Sequence, residues 1–172
     1  MERLFWIDLE MTGLDIEKEV IIEVAAIVTD LNFDEVARYH SVVRQPQAYL
    51  DNMDEWNTKH HKESGLTDLV PSGKSPDQVE ADLMQLLDGF FLNERAVLAG
   101  NSIMQDRLFL NKYFARFAAR LHYRMVDVTG FKIIFGQRYG VTYQKKNTHR
   151  AVDDISESIA ELKHYLNYVH AP

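Results

Sequence analysis

Apolar and polar positions change their period along this chain, and the change sorts it into two parts. Residues 4–7 form a short apolar run bounded by acids, which predicts a buried strand. Residues 20–28 are apolar and β-branched and predict a second strand. Residues 38–44 complete a hairpin meander, with turn residues at Thr29-Asp30-Leu31-Asn32. Residues 52–63 read as a helix capped by Asp51 or Asn52 and ended by Gly65. Residues 71–76 read as a loop, with Ser75 capping a helix that takes Pro76 in its first turn. Val79, Leu83, Leu86, Leu87 and Phe90 then recur at helical spacing and form one apolar face.

Further on, strands and helices alternate. Residues 96–99 predict a strand, 104–117 a helix, 123–126 a short strand and 129–135 a helix. Residues 136–147 are irregular, and 150–168 form a last helix with Ile155, Ile159, Leu162 and Leu166 on one side. Strands grouped first and alternating with helices later predict an α/β fold with a mixed central sheet flanked by helices. The length, 172 residues, fits a single domain over 1–172. There is no internal repeat and no low-complexity segment.

Composition narrows the compartment and the partners. Hydrophobic residues make up 46% and charged residues 26%, so disorder is not expected. No apolar run is long enough for a bilayer span, so no membrane association is expected. The N-terminal residues reach Asp8 without a signal-peptide core. Cysteine is absent, which excludes disulfides and thiolate metal sites. A cytoplasmic protein is the expectation. The formal net charge is −7, and the densest basic cluster is only Lys145-Lys146 with Arg150 nearby. A protein that tracks long nucleic acid carries a basic stripe. A short nucleic acid gripped at one end is compatible with this charge, and a divalent-cation site requires some of the acidity.

The candidate chemistry lies in acids. In a strand, residues two apart share a face, so Asp8 and Glu10 project together at the end of an apolar strand. Crowded carboxylates repel unless a cation sits between them, and hard divalent ions take oxygen ligands. The bland alternative is a solvated strand end. Asp106 stands near the start of a helix that follows a strand and Gly100-Asn101-Ser102, where ligands gather in α/β sheets. The helix dipole alone also favours an acid there. His149 precedes the last helix, with Asp153 four and Asp154 five residues on. Five helical steps separate two side chains by roughly 140°, so spacing leaves Asp153 and Asp154 as rivals.

The order Asp-x-Glu, Asp, His-x4-Asp resembles the DEDDh 3′→5′ exonucleases. Within them the chain is similar to the oligoribonucleases. The matching stretches are Trp6 to Asp15, Gly100 to Arg107, His122-Tyr123-Arg124 and Thr148 to Ile155. Trp56-Asn57, His60-His61 and Ser64-Gly65-Leu66 match a further stretch. The resemblance covers essentially the whole chain and implies a ribonuclease H-like fold. It selects Asp154 over Asp153. The chain departs from it at Met104, where a small residue is expected, and in the segments 129–131 and 136–147.

This resemblance implies a 3′→5′ exoribonuclease that degrades short single-stranded RNA, above all 5′-phosphorylated dinucleotides, to mononucleotides. Asp8, Glu10, Asp106 and Asp154 are the expected ligands of two Mg²⁺ or Mn²⁺ ions, with Asp8 between them. His149 is the expected general base. Ser102 and Arg124 are expected to bind the 5′-phosphate, and His61 and Tyr123 to act across a homodimer interface. Leu14 is expected to wedge between bases and Trp56 to line the site. From periodicity alone, Leu14 and Trp56 read as core, Tyr123 as packed on a helix, and Arg124 as a surface partner of Asp127. The aromatics Phe109, Tyr113, Phe114, Phe117 and Tyr123 divide between interface and core.

Overall fold

The computed structural model describes residues 2–92, 94–144 and 151–169. Five strands form one sheet: β1 (Arg3–Met11), β2 (Ile21–Asp30), β3 (Glu35–Val42), β4 (Ala96–Gly100) and β5 (Leu121–Asp127). Their order is β3-β2-β1-β4-β5. The first three run antiparallel, whereas β4 lies parallel to β1 and β5 parallel to β4. This is the mixed sheet expected from strands that first follow one another and then alternate with helices. It is the frame of a ribonuclease H-like fold.

Eight helices accompany the sheet among the described residues. They are α1 (Gln47–Asp51), α2 (Glu55–Glu63), α3 (Leu66–Leu69), α4 (Pro76–Phe91), α5 (Met104–Tyr113), α6 (Ala115–Ala119), α7 (Val128–Tyr139) and α8 (Ala151–Leu166). Alternation along β1 decides what covers each face. Phe5, Ile7 and Leu9 pack with Val79, Leu83 and Leu87 of α4 and with Phe109, Phe114 and Phe117. Leu4 and Trp6 pack on the opposite face with Ile155, Leu162 and Tyr165 of α8. The acids Asp8 and Glu10 continue the second row, so α8 is the element that faces them.

Several boundaries differ from expectation. β1 is longer than residues 4–7, because pairing with β2 carries the ladder through to Met11. The cap of α2 is Asp54, whose side chain accepts from the Asn57 N–H, rather than Asp51 or Asn52. Asp51 instead closes the short helix α1. Ser75 caps α4 as expected, accepting from the Gln78 N–H. The single helix expected over 104–117 breaks at Phe114, whose φ of −127° is not helical. The break lets Phe109, Phe114 and Phe117 all turn into the core, so these three are not interface residues. Tyr113 is partly buried, and its hydroxyl donates to the Glu19 carbonyl. No helix among the described residues is long and apolar enough to cross a membrane.

One glycine sets how closely β4 approaches the functional edge of β1. A Cβ on Gly100 would lie 3.0 Å from the Ile7 carbonyl oxygen and 2.9 Å from the tip of Ile103. The Ile103 side chain can turn aside, but the Ile7 carbonyl moves only if Asp8 moves with it. Gly100→Ala is therefore expected to destabilise the protein by about 2 kcal/mol. Denaturant unfolding checks this, and an unchanged midpoint would show that the strands part without cost.

Candidate active site

Strand β1 and helix α8 reach the same point from different directions. Carboxylate oxygens of Asp8, Glu10 and Asp154 all lie within 4.8 Å of one another, and each residue is half-buried. Asp8 and Glu10 come from one face of β1, and Asp154 from the first turn of α8. Asp153, its rival in sequence, is exposed to solvent and is not one of the three. The 140° separation that made Asp154 awkward applied to a pair on one rigid helix. His149 lies outside the described residues, ahead of that helix.

Asp106 arrives from the other side. It sits in the first turn of α5, and its Oδ1 accepts the Leu9 N–H at 3.0 Å. The β1–β4 ladder ends at Trp6–Ala99, so Leu9 lies beyond it and a side chain takes its N–H. Asp106 is only 7% exposed. Burial pushes its carboxyl up to about 7, the Leu9 bond opposes the rise, and Asp127 adds to it. A carboxyl of this kind stays protonated in the folded, metal-free protein where the unfolded chain has already released the proton. The native state then binds the extra proton, so stability falls as pH rises from about 4 to about 7. The slope is at most about 1.4 kcal/mol per pH unit. Asp106→Asn is expected to flatten this slope in metal-free protein and to be the more stable form at pH 8. Chemical denaturation across pH tests this, and an Asp106→Asn slope equal to that of the parent would refute it.

His61 is buried within its own chain. It is 3% exposed, and its Nε2 lies 2.9 Å from the Met11 carbonyl. That oxygen only accepts, so Nε2 carries the proton. Its Nδ1 lies 4.0 Å from Glu10 of the same chain. Burial lowers its pKa and keeps the ring neutral at neutral pH. Within its own chain the ring lies beside the acidic cluster.

Leu14 is 71% exposed and Trp56 58%, so the core reading of both from periodicity is overturned. Trp56 stacks on His60 at 3.8 Å between ring centroids. The backbone carrying Leu14 is held by Gln105, whose amide donates to the Leu14 carbonyl at 2.8 Å. Tyr123 is 74% exposed rather than packed on a helix, and the Arg124 guanidinium lies 5.3 Å from its ring centre. Asp127 is engaged elsewhere: its carboxylate accepts the Ser102 and Thr129 N–H groups and caps α7.

Ser102 has a φ of 49°, a left-handed conformation that a non-glycine residue takes only under constraint. The constraint is a set of bonds from its N–H to Asp127 and Thr129, and from its hydroxyl to the Thr129 hydroxyl at 3.1 Å. Gln105 and Thr129 were not singled out as site residues in sequence. Polar side chains in first turns carry no signal of a partner that is distant along the chain.

An all-oxygen cluster of three carboxylates fits a hard divalent cation and fits no soft metal. A sheet of this topology with such a cluster beside its central strand is suited to a nuclease that uses divalent metal. The comparisons agree. The exonuclease family model (RNase_T) matches residues 5–162. Oligoribonuclease of Francisella tularensis is 46% identical over 169 residues, covering 95% of this chain and 94% of that protein. Oligoribonuclease of Pseudomonas paraeruginosa is 42% identical over 172 residues, covering 97% and 96%. The chain belongs to the oligoribonuclease family and is a nuclease. In fold it is similar to Escherichia coli exonuclease I bound to a dA16 oligonucleotide, with a TM-score of 0.74 at 14% identity. It is likewise similar to exonuclease I of Methylocaldum szegediense, with a TM-score of 0.72. The match covers 97% of this chain but only 41% and 40% of those longer chains.

Proposed function

We propose that this chain, as a single domain, is a 3′→5′ exoribonuclease that hydrolyses short single-stranded oligoribonucleotides, with 5′-phosphorylated dinucleotides preferred. The observation that carries the reading is the convergence of Asp8, Glu10 and Asp154 beside the buried Asp106. These four would hold two divalent ions, Mg²⁺ or Mn²⁺. When bound, such ions polarise the phosphodiester, acidify water and stabilise the leaving 3′-oxygen. Neutral His149 accepts the proton of the attacking water. Ser102 and Arg124 bind the terminal 5′-phosphate, for which a guanidinium offers a matched fork of donors. Leu14 and Trp56, exposed on the surface, offer faces on which any base stacks, which gives sequence tolerance. The protein acts in the cytoplasm as a homodimer in which His61 and the exposed Tyr123 act across the interface.

The net charge of −7 supports the preference for short substrates, because a processive track along long RNA calls for basic flanks. A rival within the same class acts on DNA ends or long RNA tails, and a rival of another class binds nucleotides without cleaving them. A time course with 5′-labelled RNAs of two to seven residues, with and without Mg²⁺, separates these. The dinucleotide is expected to be consumed fastest and only with metal. Faster cleavage of the longer strands would sink the length preference, and no metal-dependent cleavage at all would sink the enzymatic reading.

A further inference from the structure

Glu23 is fully buried in the middle of β2, within a run otherwise apolar from Val20 to Val28. In the β1–β2 register it lies opposite Glu10, on the row that α8 covers. A carboxylate taken out of water is costly unless its oxygens are partnered. Both are. Oε1 accepts from Nε2 of His40, on the neighbouring strand β3, at 2.7 Å. Oε2 lies 3.4 Å from the backbone nitrogen of Ala151 and accepts its N–H.

Ala151 is the first residue of α8, so its N–H has no partner inside the helix. Asp154 follows one turn later. Apolar packing of Ile155, Leu162 and Tyr165 holds α8 on the sheet, but apolar contact is non-directional. The Glu23–Ala151 bond is directional and ties the helix start to the strand paired with β1. We infer that Glu23, steadied by His40, is a positioning residue for the metal site. Through the Ala151 amide it sets the first turn of α8, and with it Asp154, against Asp8 and Glu10. This rests on the divalent-metal reading above. Glu23 is not itself among the three acids whose oxygens converge.

A residue that only staples the fold would change stability and leave metal affinity alone, and this separates the two roles. Mn²⁺ binding to the full chain is measured by electron paramagnetic resonance and calorimetry, together with thermal melting, for wild type, Glu23→Gln, His40→Ala and His40→Gln. Glu23→Gln and His40→Ala, while folded, are expected to bind Mn²⁺ about tenfold more weakly, the usual cost of losing an outer partner of a ligand. Turnover should recover at high Mn²⁺. His40→Gln, which keeps a donor for Oε1, should bind within about twofold of wild type. The His40 side chain is 37% exposed, so His40→Ala carries the test alone should Glu23→Gln not fold. Wild-type Mn²⁺ affinity in the folded variants, or His40→Gln as weak as His40→Ala, overturns the inference. Wild-type protein that binds no Mn²⁺ overturns the metal reading itself, and the positioning role with it.

Discussion

Asp8→Asn is expected to lower turnover of a 5′-phosphorylated dinucleotide on the order of a thousandfold at saturating Mg²⁺, while raising the melting temperature of the metal-free protein. Both effects have one cause. Asp8, Glu10 and Asp154 hold their carboxylate oxygens within 4.8 Å, and a cation between them turns that repulsion into binding. At such distances each pair of like charges costs roughly 1–3 kcal/mol in a partly hydrated setting. Asparagine keeps the volume of the side chain and removes the charge, so the empty cluster relaxes by a few degrees of melting temperature. Wild type should gain stability on adding Mg²⁺ or Mn²⁺, because an ion that binds only the folded state stabilises it. The variant should gain much less. Calorimetric melting with and without metal, beside a turnover assay, checks both halves. An Asp8→Asn enzyme within tenfold of wild-type turnover would remove Asp8 from the reacting centre.

His149→Ala should lose roughly a hundredfold to a thousandfold in turnover and keep its Mn²⁺ affinity. The histidine lies just ahead of α8, whose fourth residue is Asp154. A base at this point receives its proton only when neutral. Wild-type activity is expected to fall in acid as a group near the ordinary histidine value of ~6.5 becomes charged. The variant should lack that acid limb, because no imidazole remains to titrate. Retained affinity distinguishes a lost base from a lost ligand. A His149→Ala enzyme with wild-type turnover, or one with the same acid limb, would take the proton-accepting role away from this residue.

Much of the site was legible as a set of spacings. Asp8 and Glu10 share a face because strands alternate, and that inference needed no tertiary information. The apolar rows on α4 and α8 also read correctly, since a helix buries a stripe with its own period. Other features escaped for one reason: periodicity counts apolar residues but does not name their neighbours. Leu14 and Trp56 look like core by composition and stand on the surface. Phe114 sits in a helical run yet breaks it, because three aromatics must enter one core. Glu23 disappeared inside an apolar strand, and only the register shows that it faces Glu10 and holds the start of α8.

Alone, the amino-acid order determined the element types, the α/β class and the presence of acids at one strand end and one helix start. These depend on side-chain alternation and capping over a few residues, which are local. The tertiary structure decided which acids meet. Sheet order β3-β2-β1-β4-β5 puts β1 at the centre, and packing on its acidic face brings Asp154 rather than Asp153 to Asp8 and Glu10. It also brought His61, fifty-one residues after Glu10 in sequence, to within 4.0 Å of that acid. Convergence of distant segments is set by how faces pack and how buried polar groups find partners, and no spacing along the chain encodes that distance.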